Sequence, residues 1–413
     1  MKVIRLNKRP ELLAPAGDLE KLAFAYAYGA DAAYVGAGEW SLRTTAGMGL
    51  EELRQGVTLA NTLGKKLYLA LNVFAHNQDI ERLPAFLAQI AEIKPHGVII
   101  SDPGVFTLAK QYLPHIPIHI STQANNTNWL TAQFWRERGA SRLVLARELD
   151  LNEVAEIQEK GGLETELFVH GAICVSYSGR CLLSNYLTGR SANLGDCSQP
   201  CRWKYALVEE KRPGQYFPLE DDTRGGYILN SRDLCLFRRI PELLELGVDS
   251  WKIEGRNKSA YYVAAVTRAY RQGIDAALAG NFSAEFCVKQ MEEFAKISNR
   301  QYTENFVGGP PDAEAFRYQS GNYVRNYDFV AVAYATKDGR IRMEQRNYFQ
   351  VGDLLEILLP NGETPRIKVK ALYDEAGNCV DAARHPREVL WAEADVDLPI
   401  AQPLICRKEI LSI

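Results

Sequence analysis

Cys174, Cys181, Cys197, Cys201 and Cys235 fall close together, whereas Cys287, Cys379 and Cys406 are scattered. The first four are spaced C-x6-C-x15-C-x3-C, and Cys235 follows further on. In a chain expected in a reducing compartment, gathered thiols point to metal or catalytic roles rather than disulfides. A structural zinc site usually shows two close C-x2-C pairs, so the wide first pair is less typical of zinc. An iron–sulfur cluster tolerates wider spacing, and four thiolates around a cubane suit a Gly-rich loop whose N–H groups bond to sulfur. Iron–sulfur is the preferred reading, with zinc and unliganded buried thiols left open. A cysteine protease needs a lone nucleophile beside His and Asn or Asp, and five cysteines in one stretch argue against it.

The same stretch, HGAICVSYSGRCLLSNYLTGRSANLGDCSQPCRWKY, interleaves Arg180, Arg190, Arg202 and Lys204 with Tyr177, Tyr186, Trp203 and Tyr205. Arginine and aromatic side chains are what RNA phosphates and splayed-out bases use, although an ordinary solvated loop has the same composition. His170, four residues before Cys174, ends an apolar run. It could act as base, substrate donor or orienting group, or simply as a hydrogen-bonded structural residue. His76, His96, His115, His119 and His385 lack such neighbours and read as structural.

These residues need elements to hold them. From Glu11 to about residue 278, short apolar β-rich runs alternate with stretches of helical period. Eight runs are read as strands: ELLAPAG, AAYVGAG, KLYLALNV, HGVIISD, PIHISTQ, SRLVLARE, ETELFVHG and DSWKIEGR. Asp, Asn or Ser suited to N-capping opens several of the helices. Eight strands, each followed by a helix, predict an α/β fold of the (β/α)8 TIM type rather than an open doubly wound sheet. No GxGxxG follows the first strand, which weakens the doubly wound alternative. The catalytic domain is placed at 1–298, with a Cys-rich insertion at about 172–235 after strand seven, where βα loops build active sites.

In that architecture the strand ends carry Asp18, Asn72, His76, Asp102, Gln123, Asn125, Arg147, Glu148, His170, Glu254 and Arg256. Loops are polar in any protein, so the joint convergence on one mouth carries the inference. Lys252 and Glu254 alternate with apolar partners, so charges facing inward there need compensation inside the barrel. Residues 299–325, rich in Gly, Pro and Asn, read as a linker. KDGR, PNGE and EAGN then mark hairpins of a small antiparallel β-barrel over 326–413.

Hydrophobic residues make up 46% and charged residues 24% of the 413, which excludes disordered, collagen-like and coiled-coil chains. No apolar run reaches the ~18 residues of a membrane span and the start lacks a signal-peptide stretch, so a cytoplasmic setting is expected. The net charge is −3, so contact with nucleic acid must come from a local basic patch. The candidates are Arg180, Arg190, Arg202, Lys204, Lys211, Arg212, Arg232, Arg238 and Arg239 near the mouth. Arg340, Arg342, Arg346, Arg366, Lys368 and Lys370 offer a second patch in the C-terminal domain.

ELLAPAGD, DAAYVG, HISTQANNTN, HGAICVSYSGRCLLSNYLTGR, CSQPCRW, NSRDLC and DSWKIEGR together resemble the peptidase U32 family, once called collagenase-like proteases. The resemblance covers nearly the whole chain and is strongest to its bacterial tRNA-modifying branch. It implies a barrel carrying a four-iron four-sulfur cluster and an O2-independent hydroxylation of wobble uridine to 5-hydroxyuridine in tRNA. Prephenate is implied as co-substrate and hydroxyl source. Sister branches hydroxylate a ribosomal RNA cytidine or a quinone ring, and the protease label remains as a further reading. Carried over by position, the cluster ligands are Cys174, Cys181, Cys197 and Cys201, with Cys235 as alternative fourth ligand. For the pocket so implied, Arg147 and Arg256 are expected to hold carboxylates. His170 and Glu254 are expected to move protons, and Asn72 and Gln123 to orient substrate.

Overall fold

The computed structural model describes residues 9–42, 47–174, 176–177, 180–194, 196–203, 206–208, 216–218, 232–308, 324–394, 398 and 400–410. Eight short strands form a ring: β1 (Glu11–Pro15), β2 (Ala32–Gly36), β3 (Lys66–Leu71), β4 (Gly97–Ile100), β5 (Ile118–Ile120), β6 (Arg142–Val144), β7 (Glu164–Ala172) and β8 (Ser250–Ile253). Each of the first seven pairs in parallel with the next, and β8 pairs with both β7 and β1, which closes a TIM-type barrel. β2 and β4 are buried along their whole length, as parallel strands covered by helices must be.

Short polar side chains start the helices. Asp18 accepts from the Lys21 N–H at 2.8 Å, and Asp102 accepts from the N–H groups of Gly104 and Val105. Asn128, Asp150 and Ser259 do the same for later helices. Asp18 and Asp102 are thus spent on caps, each worth about 1 kcal/mol, and His76 occupies the cap position of helix Asn77–Ile93.

The N-terminal half of the barrel is filled by an ion-paired network. Arg142 reaches Glu11 at 2.6 Å, Glu164 at 2.9 Å and Glu166 at 3.2 Å. The Lys252 Nζ lies 2.7 Å from Glu166, and the Tyr68 hydroxyl donates to Glu11 at 2.7 Å. Removing one partner would strand a buried charge at a cost of several kcal/mol, so the charges are held as a set. Burial works to raise the Glu11 carboxyl, yet Arg142, Tyr68 and Lys66 outweigh it and hold the group below the usual carboxylate range. This set forms the floor beneath an open C-terminal end.

After β7 the chain leaves the ring and returns as the strand Asp233–Cys235, antiparallel to the end of β7 with Cys235 opposite His170. The described parts between include helix Leu183–Thr188 and a ribbon of Ala206–Val208 with Tyr216–Pro218. The segment read as a linker from 299 begins as part of the barrel. Tyr302–Thr303 adds in parallel to the Asp233–Cys235 strand, and Arg300 is buried in an ion pair with Asp233 at 2.6 Å. Composition permits a detached chain without requiring one, and the partner that holds this segment is far away in sequence.

The C-terminal domain is an eight-stranded antiparallel sheet, a half-barrel around Val330, Ile341, Met343, Ile357, Leu372 and Leu390. It is fastened to the barrel by buried polar contacts. The Tyr28 hydroxyl donates to the Leu358 carbonyl at 2.7 Å and accepts from the Ile405 N–H at 3.2 Å. Arg407, fully buried, reaches Glu356 at 2.6 Å and Glu293 at 2.8 Å, and donates to the Tyr261 hydroxyl at 3.1 Å. Among the described residues no helix is long and apolar enough to cross a membrane.

Candidate active site in the barrel mouth

A cavity of about 450 Å³ opens at the C-terminal ends of the strands, within the range of ordinary small-molecule sites. Asn72, Gln123, Arg147, Lys252, Glu254 and Arg256 line it from the strand ends, and Tyr34 and Phe168 supply aromatic faces. Strand periodicity explains the selection, because Lys252 of β8 and Glu254 just past its end alternate into the cavity while Trp251 and Ile253 do not line it.

Each charged group has a counterpart. The Arg147 guanidinium lies 3.3 Å from Glu254 and 3.8 Å from the Phe168 ring centre. Lys252 sits 4.3 Å from the Tyr34 ring centre, and burial lowers its ammonium below the usual range against the pull of Glu166. Arg256 donates to the Ser41 hydroxyl at 3.4 Å, with its guanidinium 5.7 Å from the Tyr34 ring centre. The Asn72 amide donates to the Gln123 side-chain oxygen at 3.3 Å and accepts from the Leu42 N–H at 3.2 Å, so both amides are oriented before any ligand arrives. The compensation expected for Lys252 and Glu254 is therefore present, supplied by Glu166 and Arg147.

Cys174, Cys181, Cys197 and Cys201 line this same cavity. All eight cysteines of the chain are unbridged. The Ser176 N–H points at the Cys174 sulfur and the Gln199 N–H at the Cys197 sulfur, both at 3.4 Å. Such N–H donors stabilise thiolate ligands, so two of the four thiols around this space have a feature that cysteine ligation of a cluster uses. Among the described residues no three His, Cys, Asp or Glu side chains are drawn together closely enough to hold a metal ion. Arg180 ties the insertion to the barrel, its guanidinium donating twice to the Gln123 carbonyl at 2.8 and 3.1 Å.

The sequence profile of peptidase family U32 matches residues 17–317, and that of the family's C-terminal domain matches 325–407. This chain belongs to peptidase family U32. It is 39% identical to tRNA hydroxylation protein P1 of Bacillus subtilis over 94% of this chain and 93% of that protein. It is 35% identical to tRNA hydroxylation protein P of Escherichia coli over 97% of each chain. It also resembles the 23S rRNA 5-hydroxycytidine C2501 synthase of Escherichia coli, at 33% identity over 78% of this chain and 46% of that protein.

Of the expected cluster ligands and pocket residues, nine share the cavity: Asn72, Gln123, Arg147, Glu254, Arg256 and the four cysteines. His170 and Cys235 are not among its lining residues. His170 is buried, its ring 4.9–6.0 Å from those of Tyr262, Tyr270, Phe294 and Tyr302. Neither ring nitrogen has a hydrogen-bond partner, and burial pushes the imidazole down to about 3. A bulge explains this placement. Between Lys252 and Ile253 the β7–β8 register slips by one, turning His170 away from the ring interior. Its carbonyl still accepts the Glu254 N–H at 2.8 Å, so it acts on the cavity through the backbone. Cys235 is enclosed against Tyr270, and burial pushes its thiol up to about 12.

Sequence reasoning passed over Asn126, whose buried amide donates to the carbonyls of Ile120, Ser121 and Val144 and so staples β5 to β6. The signal available in the sequence was the Asn125-Asn126 pair shortly after β5, of which Asn125, at φ +65°, is the residue named among the strand-end candidates. Five residues of the expected basic patches are ion-paired: Arg190 with Asp196, Arg239 with Glu304, Arg342 with Glu375, Arg346 with Glu20 and Arg366 with Glu356. Lys204, Lys211 and Arg212 lie outside the described residues.

Proposed function

We propose that this chain is an RNA hydroxylase that converts wobble uridine of tRNA to 5-hydroxyuridine, with prephenate as hydroxyl source. The observation that carries this reading is that four cysteines and two arginines with a glutamate converge on one cavity. The names of the Bacillus and Escherichia relatives support RNA as the substrate class. Cys174, Cys181, Cys197 and Cys201 would hold a four-iron four-sulfur cluster, which supplies electron transfer or fixes the insertion in place when bound.

The chain's own groups divide the remaining work. Arg256 and Arg147 face a small dicarboxylate, and a carboxylate that takes Arg147 displaces Glu254 from its pair. The freed Glu254 carboxylate is then a general base at the cavity wall, placed to accept a proton from a bound substrate. Asn72 and Gln123 hold their amides in a fixed orientation for substrate oxygens. His170 has no place in this transfer and serves as packing behind Glu254.

The test is anaerobic purification with iron and sulfide analysis, then incubation with unmodified tRNA and prephenate and mass spectrometry of the nucleosides. 5-Hydroxyuridine formed only with prephenate supports the reading. Hydroxycytidine in ribosomal RNA would move the substrate to that of the 23S relative. Gelatin or casein hydrolysis without any nucleoside product would overturn it.

A further inference from the structure

Beside the barrel cavity lies a second chamber of about 180 Å³. Thr122, Gln123, Arg147, Ile173 and Cys174 line both spaces, so the two are neighbours across a shared wall. The far wall is different in origin. Ser176 and Tyr177 come from the cysteine insertion, and Asn305 and Phe306 come from the segment whose composition suggested a linker.

That segment is held, not loose. Its backbone is left-handed at Gln301 (φ +63°) and again at Asn305 (φ +49°), conformations that persist in non-glycine residues where the surroundings impose them. The surroundings here are the buried Arg300–Asp233 pair, the Tyr302–Thr303 strand and a bond from the Asn305 N–H to the Thr303 hydroxyl at 3.0 Å. Phe306 and Asn305 are therefore set at fixed positions opposite the wall that carries Cys174 and Arg147.

We infer that this side chamber receives one unpaired pyrimidine base of the RNA substrate while the barrel cavity holds the small acidic reactant. The inference rests on the RNA hydroxylase reading above. At about 180 Å³ the chamber is below the ~300–1,000 Å³ usual for small-molecule sites, so it suits a single planar ring with its ribose and phosphate left outside. Bases taken from a stack are received between aromatic faces and read on their Watson–Crick edge, and Tyr177, Phe306 and the Asn305 amide provide those elements. The geometry also orients the reaction. A pyrimidine reading Asn305 with its Watson–Crick edge presents its C5–C6 edge on the opposite side, toward the shared wall.

The test uses the full chain, purified anaerobically, and a tRNA carrying 4-thiouridine at the target position. Irradiation is expected to cross-link peptides containing Tyr177 or Phe306. Asn305→Ala and Phe306→Leu should each lower kcat/KM for tRNA hydroxylation about tenfold, the size of one lost base contact, with the prephenate KM unchanged. Thermal melts of both variants close to wild type exclude misfolding, and Phe306→Tyr, which keeps a ring face, should restore most of the rate. Wild-type hydroxylation undiminished in both variants, or cross-links confined to barrel-interior peptides, overturns the chamber alone. No cross-link and no product from wild type overturns the RNA reading, and the chamber with it.

Discussion

Cys174, Cys181, Cys197 and Cys201 differ from Cys235 in what surrounds each thiol. The four face one open cavity, two of them with N–H donors aimed at sulfur, while Cys235 is sealed against Tyr270. Iron content should therefore fall from about four per chain in Cys174→Ala, Cys181→Ala, Cys197→Ala and Cys201→Ala, and stay at about four in Cys235→Ala. Iron lost from Cys235→Ala and retained in Cys201→Ala would reverse the choice of fourth ligand. His170 makes a prediction of another kind. Its imidazole titrates at about 3 when folded and near 6.5 when exposed, so as pH falls the unfolded chain takes the proton first. Stability from this group is intact above about pH 6.5 and erodes toward pH 3, by about 2 kcal/mol at pH 5. His170→Phe, which suits the ring cage and removes two unpartnered nitrogens, should melt at or above the wild-type temperature at pH 7 and lose less on going to pH 5. Equal slopes for the two proteins would show that the imidazole is not held neutral.

The β7–β8 edge is where an element's geometry sets a functional group. Gly171 has φ +110°, and a Cβ there would lie 2.3 Å from the Glu254 carbonyl oxygen and 2.9 Å from the Glu254 Cβ. Only glycine permits this approach, and the approach fixes Glu254 at the cavity wall beside Arg147. Gly171→Ala should cost roughly 2–4 kcal/mol and lower activity beyond what the lost stability explains, because Glu254 must shift. Calorimetry on Gly171→Ala against Gly280→Ala, a turn glycine with φ +73° and nothing within 4 Å of its Cβ, separates crowding from backbone strain. Equal losses in the two variants would mean that crowding against Glu254 contributes nothing.

Across the whole molecule, the two domains are joined through charge as well as apolar packing. Burial works to raise the Glu356 carboxyl, and Arg407 outweighs it and holds the group below the usual range. Arg407→Ala would remove the arginine that bridges Glu356 and Glu293, leaving Lys296 on both, Arg268 on Glu293 and Arg366 on Glu356. The expected cost is about 3 kcal/mol, seen as a melting temperature several degrees lower. Neutralising the carboxylates in the same chain with Glu293→Gln and Glu356→Gln should recover part of that loss. A triple variant less stable than Arg407→Ala alone would show that the acids stabilise the seam independently of the arginine.

The alternation of strand and helix, the polar strand ends and the cysteine spacing are local patterns, and each is written in consecutive residues. That is why the barrel, the insertion after β7 and nine of the cavity residues are legible in the sequence. What depended on distant partners was not. The bulge that turns His170 outward arises from the pairing of β7 with β8, and the burial of Cys235 arises from Tyr270 packing over the returning strand. Asn305 and Phe306 reach the side chamber from a segment that the Arg300–Asp233 pair and the Tyr302–Thr303 strand tie to the barrel. Periodicity assigns a side chain to a face of its own strand, whereas the register between strands decides which face meets the cavity, and register is a property of the closed ring.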